Sequence, residues 1–347
     1  MAFGRAQPPF GFHMRLLSTL TIAAALLCVS TGCGVLNLLP GRTFHQRCEW
    51  KAEDYFADPK VIALCKAIEA NELAEMERLV KAGADVNAQG KGKMTPVLWA
   101  FPDDQLPRFK WLLQHGANPN VIVESDFGTK GHISAGESVT HMACETDFAG
   151  YFDAVFDHGG DPNLRRTGAS GRDATPLFNV ITAGGGNRKE KVKRLIAAGA
   201  DMNALSGGST PPMQAASWFT QNDLVLLMLD AGADFQKYDR HECQRLIHLV
   251  VRQEFGTVGL KALTPQMQAD RDAVIKWLED HGESYETAKA DIARWDWWGR
   301  TTGEYDRKMA AEIAERRPAR RPPQRLLLRS PRNQPMQRTR DRIQRNG

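Results

Sequence analysis

Residues Lys81–Ala88 read KAGADVNA, an alanine-rich helix end that runs into glycine, then aspartate and asparagine. Variants follow it: QHGANPN from Gln114, DHGGDPN from Asp157, AAGADMN from Ala197, DAGADF from Asp230 and a weaker DHGES from Asp280. Their glycines, Gly83, Gly116, Gly159, Gly199, Gly232 and Gly282, are separated by 33, 43, 40, 33 and 50 residues. Self-similarity at this period signals a stacked repeat array, with loops inserted into one basic unit.

A second feature keeps step. TPVLWA begins at Thr95, SVTHMAC at Ser138, TPLFNVI at Thr175 and TPPMQAA at Thr210, with an earlier copy, IALCKAI, from Ile62. Each of these starts 21 to 24 residues before the next repeat glycine, so the variable part lies between a glycine and the following threonine. Threonine is a helix N-cap, and proline suits the first helical position, where no amide donor is needed. Small residues then allow close helix stacking (Ala143, Ala215, Ala216), and spaced apolar residues such as Phe109, Leu112 and Leu113 mark a second helix. Glycine in the left-handed conformation ends that helix. Asp85 and Asn87 open the turn beyond it.

With these motifs in view, the chain resembles the ankyrin-repeat family, whose pattern TPLHxAA…LLxxGADvN is matched best over Thr95–Asn120, Ser138–Asn163, Thr175–Asn203 and Thr210–Asp234. The resemblance covers residues 60–283. It implies an all-α repeat solenoid: an ankyrin stack of about six helix-turn-helix units with β-hairpin or loop fingers. The sixth copy is degenerate, with LIHLVV (Leu246–Val251) as its first helix and Asp270–His281 as its second. His141 takes the family's His slot, whose usual work is hydrogen bonding within and between repeats.

The flanks differ from the repeats. Met14-Arg15 precede the apolar run LLSTLTIAAALLCVS and then TGCG, which is the form of a secretory signal. The run is shorter than the ~20 residues a spanning helix needs. Ser30-Thr31-Gly32-Cys33 resembles a bacterial lipobox, although Ser30 replaces the usual leucine, so Cys33 is the expected lipidation site and residues 1–33 the signal. Met14 is an alternative start, and plain secretion is an alternative fate. Gly34 after the cysteine leans toward the outer membrane rather than the inner. Residues 34–59 then form an N-terminal linker and cap, and 284–315 a C-terminal helical cap carrying Trp295, Trp297 and Trp298. Residues 316–347 form an Arg/Pro-rich tail with too little apolar content to fold alone.

Charge is divided unevenly. The tail holds eleven arginines and one acid, Asp341. The chain as a whole is only +4, so the body between leader and tail is acidic, at −8. A basic protein partner is the reading this favours, through electrostatic steering. Behind an export signal no nucleic acid is expected, and the stack is expected to be monomeric.

Catalytic signatures are missing from the sequence: no G-x-S-x-G, H-E-x-x-H, Walker loop or paired C-x-x-C occurs. AGGGNRKEK (Ala183–Lys191) lacks the ending of a phosphate loop and reads as an insertion between two helices. No metal or other cofactor is expected. Cys48 and Cys65 are the near pair open to a disulfide; a buried thiol is the other reading of Cys65 and of Cys144.

Binding should therefore lie on the face built from fingers and first helices. Two sets of exposed slots follow from the register. Lys91, Met94, Glu137, Arg172 and Ser209 precede the capping residue of each first helix; Asp103, Glu145, Thr182 and Trp218 follow its small-residue pair. Trp218 is the strongest anchor candidate, whereas Trp99 falls at a slot that packs in the core. An enlarged finger, within VIVESDFGTKGHISAGE, separates Gly116 from Ser138.

The functional expectation is a non-catalytic, membrane-anchored envelope lipoprotein that binds another protein. Exported bacterial ankyrin proteins that it resembles can serve as immunity proteins, inhibiting secreted effectors. The alternatives are an envelope stress or redox-protective factor, and a cytoplasmic or host-delivered ankyrin interaction protein.

Overall fold

The computed structural model describes residues 43–127, 133–167, 173–183, 185–206, 211–237, 244–255 and 263–302. The leader with Cys33, the slots Arg172 and Ser209, Cys243 and the basic tail lie outside the described residues. The chain divides into two compact units, Met1–Ile292 and Ala293–Gly347.

The first unit is a succession of helix pairs. Two short helices lead in, α1 (Phe44–Cys48) and α2 (Ala52–Tyr55). The pairs then follow: α3 (Pro59–Glu69) with α4 (Leu73–Lys81), α5 (Pro96–Ala100) with α6 (Leu106–Gln114), and α7 (Val139–Glu145) with α8 (Tyr151–Asp157). After them come α9 (Pro176–Thr182) with α10 (Arg188–Ala197), α11 (Pro212–Trp218) with α12 (Asn222–Asp230), and α13 (Leu246–Arg252) with α14 (Pro265–Asp280). A last helix, α15, spans Tyr285–Thr302. Most first helices are only five to seven residues long. Such lengths are unstable in isolation, so stacking must hold them.

The sequence rules for the helix ends are realised at three of the first helices, whereas α11 has Pro211 at its N-cap with no side-chain cap bond and the expected cap Thr210 lies outside the described residues. Thr95, Ser138 and Thr175 cap α5, α7 and α9 by accepting from the amides of Leu98, His141 and Phe178. All six repeat glycines have positive φ, from 85° to 94°. The second helix of the sixth pair begins five residues earlier than the Asp270 expected, because Thr264 caps it and Pro265 takes its first turn. Among the described residues the fingers are turns rather than hairpins; one isolated bridge joins Phe127 to Ile133. The described residues contain no helix long and apolar enough to cross a membrane.

The core runs through the stack. Leu64, Ile68, Met76, Leu98, Phe109, Leu112, Val155, Leu177, Leu195, Val225, Met228, Val250 and Leu278 are all sealed from solvent, and Ala143 and Ala216 fill the gaps between first helices. Trp99 is buried, as its slot requires. Trp295 is also buried; the side chains of Trp297 and Trp298 lie outside the described residues.

A polar rail runs along one edge. Asp85 accepts from the Asn87 amide, as in an Asx turn. The Asn87 side chain then leaves its own repeat: it donates to the Gly116 carbonyl at 2.8 Å and accepts from the Asn118 amide at 2.7 Å. Asn120 does the same with Gly159 and Asp161, and Asn163 with Gly199 and Asp201. Asn203 accepts from Asp234. Asn87, Asn120 and Asn163 thus each satisfy one carbonyl and one amide in the turn that follows the neighbouring second helix. Asn120 also accepts from the Thr140 hydroxyl at 2.7 Å. Asn120→Ala is therefore expected to cost about 2 kcal/mol, at roughly 1 kcal/mol per exposed or half-buried bond with one bond's worth regained from water. Urea unfolding would check it; a loss below a few tenths would mean the rail carries no load.

Candidate functional site

The turn between the two helices of each pair forms a row along the stack. Repeats one, two, three and six place acids there: Glu72, Asp104, Asp147 and Glu254, all exposed. Repeat four is uncharged until Arg188 and Lys189 open α10. In repeat five the row carries Trp218 and Phe219, which are 49% and 52% exposed.

This aromatic pair is held from below. Gln253 donates to the Ser217 carbonyl at 2.6 Å and to its hydroxyl at 3.1 Å, and accepts from Asn222 at 2.8 Å. Ser217, Asn222 and Gln253 are themselves buried. Gln221 donates to the Ile181 carbonyl of the preceding repeat at 3.1 Å. Thr220 turns the chain at a positive φ of 57°. Two large apolar side chains are therefore displayed on a backbone fixed by buried hydrogen bonds from Gln253, Asn222 and Gln221, an arrangement that limits the entropy lost when a partner covers them.

The other expected slots divide. Lys91 and Thr182 are exposed; the Thr182 hydroxyl bonds to the Phe178 carbonyl at 3.0 Å. Met94 is not exposed. It is fully buried, because the turn Lys91–Lys93 closes on it and directs it into the core. Glu137 is likewise 8% exposed rather than free. It pairs with Arg166, which also reaches Glu145 at 2.8 Å, and Glu145 accepts from Asn179. Burial raises the carboxyl pKa of both glutamates, and the Arg166 guanidinium opposes that rise. Glu145 keeps part of its surface, whereas Glu137 is committed to joining two fingers.

Asp103 is a third correction. It accepts from the Phe44 amide at 2.7 Å and pairs with Arg47 and Arg108, each at 3.4 Å, so its charge is used inside the fold. Cys65 is a buried free thiol rather than half of a bridge to Cys48: it faces inward from α3 and is fully enclosed. Burial pushes the thiols of Cys65 and Cys144 well above the usual range, which suppresses thiolate chemistry.

His141 behaves as a structural histidine. It is fully buried, bonded to Ser138 Oγ at 2.8 Å and to the Leu164 carbonyl at 3.1 Å. Burial lowers its pKa to about 4. Among the described residues no cluster of His, Cys, Asp and Glu could hold a metal ion. Only the first part of AGGGNRKEK joins α9 to α10; its RKEK forms the first turn of α10, at the rim of a cleft of about 570 Å³ lined in part by Asp147, Phe148, Phe152 and Lys191. The Lys191 ammonium at its wall donates to the carbonyls of Cys144 and Thr146, so its hydrogen bonds are made within the fold.

Two site residues escape a motif reading. Phe219 stands beside Trp218 in SWFT and shares its exposure; its adjacency was the available signal. Arg166 sits in a finger of variable length, where the repeat register assigns no role.

No family model matches the sequence, and no curated protein matches it. Among solved structures the chain is similar to the ankyrin repeat domain of Bcl-3, described as a unique member of the IkappaB protein family. Identity is 20%, the match covers 55% of this chain and 80% of that one, and the TM-score is 0.43. The successive helix pairs, the left-handed glycines and the asparagine rail of this chain make its first unit an all-α ankyrin-type repeat solenoid.

Proposed function

We propose that this protein is a non-catalytic protein-binding module whose main contact is the turn row, with Trp218 and Phe219 as its apolar anchor. The observation that carries this reading is the aromatic pair itself, half exposed on a backbone locked by Ser217, Asn222 and Gln253. Large aromatic side chains dominate binding energy when an interface closes over them. The exposed acids elsewhere in the row, and the acidic body of the chain, favour a partner with basic residues around an apolar patch.

The leader supports a finer reading. The chain is exported, lipidated at Cys33 and held at the periplasmic side of a bacterial envelope, where it inhibits a secreted effector as an immunity protein. Cys33→Ser should abolish palmitate labelling; equal labelling of both forms removes the anchor. A secreted toxin encoded beside this gene would favour the immunity role.

Trp218→Ala is expected to weaken capture of the partner from the envelope fraction at least tenfold while leaving the melting temperature unchanged. Capture should also weaken as salt is raised from about 0.05 to 0.5 M, since exposed charges are screened. Undiminished capture by Trp218→Ala would count against the row as the contact.

A further inference from the structure

Residues 43–56 do more than close the end of the stack. They lie across the face formed by the first helices and fingers of repeats one and two. At one end Thr43 donates to the Glu69 carboxylate at 2.6 Å, the Phe44 amide donates to Asp103, and Arg47 pairs with Asp103. In the middle His45 stacks on Trp99 with ring centres 4.3 Å apart, and Trp50 packs 5.8 Å from the same ring. At the far end Tyr55 lies 5.7 Å from Phe127 of the enlarged finger and 5.8 Å from Trp99. A Cβ on Gly90 of the first finger would fall 2.5 Å from the Tyr55 carbonyl.

Trp99 holds the register position that Met142 holds in the next repeat, where the side chain is half-buried. The rings packed on Trp99, those of His45, Trp50 and Tyr55, all come from this segment. The segment is therefore seated as a bound peptide would be, with aromatic side chains in an aromatic trough and an arginine on an acid.

The seat is imperfect at its centre. The Nε2 of His45 is bonded to the Trp99 carbonyl at 2.9 Å, so this nitrogen carries the proton and Nδ1 is an acceptor. That Nδ1 has no hydrogen-bond partner and faces an Asp103 oxygen, another acceptor, at 3.9 Å. The indole N–H groups of Trp50 and Trp99 are buried without partners as well. Each unpaired buried polar group forfeits a bond it would make in water. A cleft of about 640 Å³, lined in part by Trp50, Glu53, Lys66 and Glu69, also leaves one flank of the segment open.

We infer that residues 43–56 are a ligand in cis, a displaceable strap over a second partner-binding surface that accepts aromatic side chains on Trp99 and Phe127 and an arginine on Asp103. The strap's own order, Phe44-His45, Arg47, Trp50, Tyr55, describes the polypeptide that would replace it. A competitor that sets a carbonyl or carboxylate oxygen on the Trp99 indole N–H gains a bond the strap does not make. This surface is separate from the Trp218 row, and it stands or falls without it.

The test uses the full chain and a fluorescent synthetic peptide of residues 42–57 with Cys48→Ser, followed by anisotropy. The double variant Arg47→Ala/Trp50→Ala is expected to bind the peptide at least tenfold more tightly than the unaltered chain. Adding Trp99→Ala should remove that binding, and Trp218→Ala should leave it unchanged. If the double variant loses helical circular dichroism, Arg47→Ala alone replaces it, with at least a threefold gain expected. Equal binding by the unaltered and strap-weakened chains, binding that survives Trp99→Ala, or no binding by a folded strap-weakened chain would each overturn the inference.

Discussion

Replacing Arg108 with methionine is expected to lower the unfolding free energy by about 3–5 kcal/mol, the size seen when one partner of a buried charged network is removed. Arg108 begins as an ordinary-looking basic residue in the second helix of repeat two, yet it is 1% exposed. Its Nη1 donates to the carbonyls of Ile68 at 2.9 Å and Glu69 at 3.3 Å, at the end of α3. Its Nη2 donates to the Pro102 carbonyl at 2.8 Å and meets Asp103 at 3.4 Å. One guanidinium therefore closes the end of the first helix of repeat one and holds the turn Pro102–Asp104, where Asp103 and Asp104 both take positive φ. Methionine fills similar space but donates nothing, so the carbonyls are left buried and Asp103 loses its inner cation. Urea unfolding of Arg108→Met against Lys110→Met checks this. Lys110 is exposed on the same helix, and its change should stay within about 0.5 kcal/mol. A loss below about 1 kcal/mol for Arg108→Met would show that the guanidinium is not the tie.

Acidification is the second large effect. His45, His141 and His248 are buried, and burial lowers the pKa of each, to about 4 for the first two. Glu69 and Asp103 pull His45 upward and Arg108 pulls it down, but desolvation prevails. The unfolded chain binds these protons near pH 6.5, before the folded chain can. Stability is thus full above that pH and falls as the pH drops through 6.5 toward 4. The loss reaches about 3 kcal/mol each for His45 and His141. Glu137 and Glu145, raised by burial, act in the opposite sense, since the fold binds their protons more readily. His45→Phe keeps a ring on Trp99 and removes one titration, so it should flatten the decline between pH 6.5 and 4 measured by urea unfolding. An unchanged slope in that variant would remove His45 from the account.

The fold was legible because its determinants are local and repeated. A threonine or serine cap, a small-residue pair and a terminating glycine recur at steady spacing, and each does its work within one helix turn. Trp218 was legible for the same reason: Ala215 and Ala216 fix the helix register, and register places residue 218 at the exposed turn. Met94, Glu137 and Asp103 stand at equally regular positions but are drawn into the fold by contacts the repeat register does not encode. A tight 3₁₀ turn closes over Met94, a finger arginine claims Glu137, and the N-terminal segment claims Asp103. Asn87 is the subtlest case. The local pattern reads it as a turn former, whereas its side chain is spent on a carbonyl 29 residues further along the chain. Nothing in an eight-residue stretch reveals such a partner.

The asparagine rail also separates two properties that chain connectivity would otherwise link. Asn87, Asn120 and Asn163 reach carbonyls 29, 39 and 36 residues away, yet the three bonds measure 2.8, 2.7 and 2.9 Å. The intervening finger can lengthen by ten residues without the joint registering it, because each joint ties the turn after one second helix to the turn after the next, and stacking of those helices sets the separation. Closing a longer loop adds only a fraction of a kcal/mol. Such a chain can lengthen or rewrite a finger at almost no mechanical cost to the parts that hold it upright, so the spine stays interchangeable whatever the fingers carry.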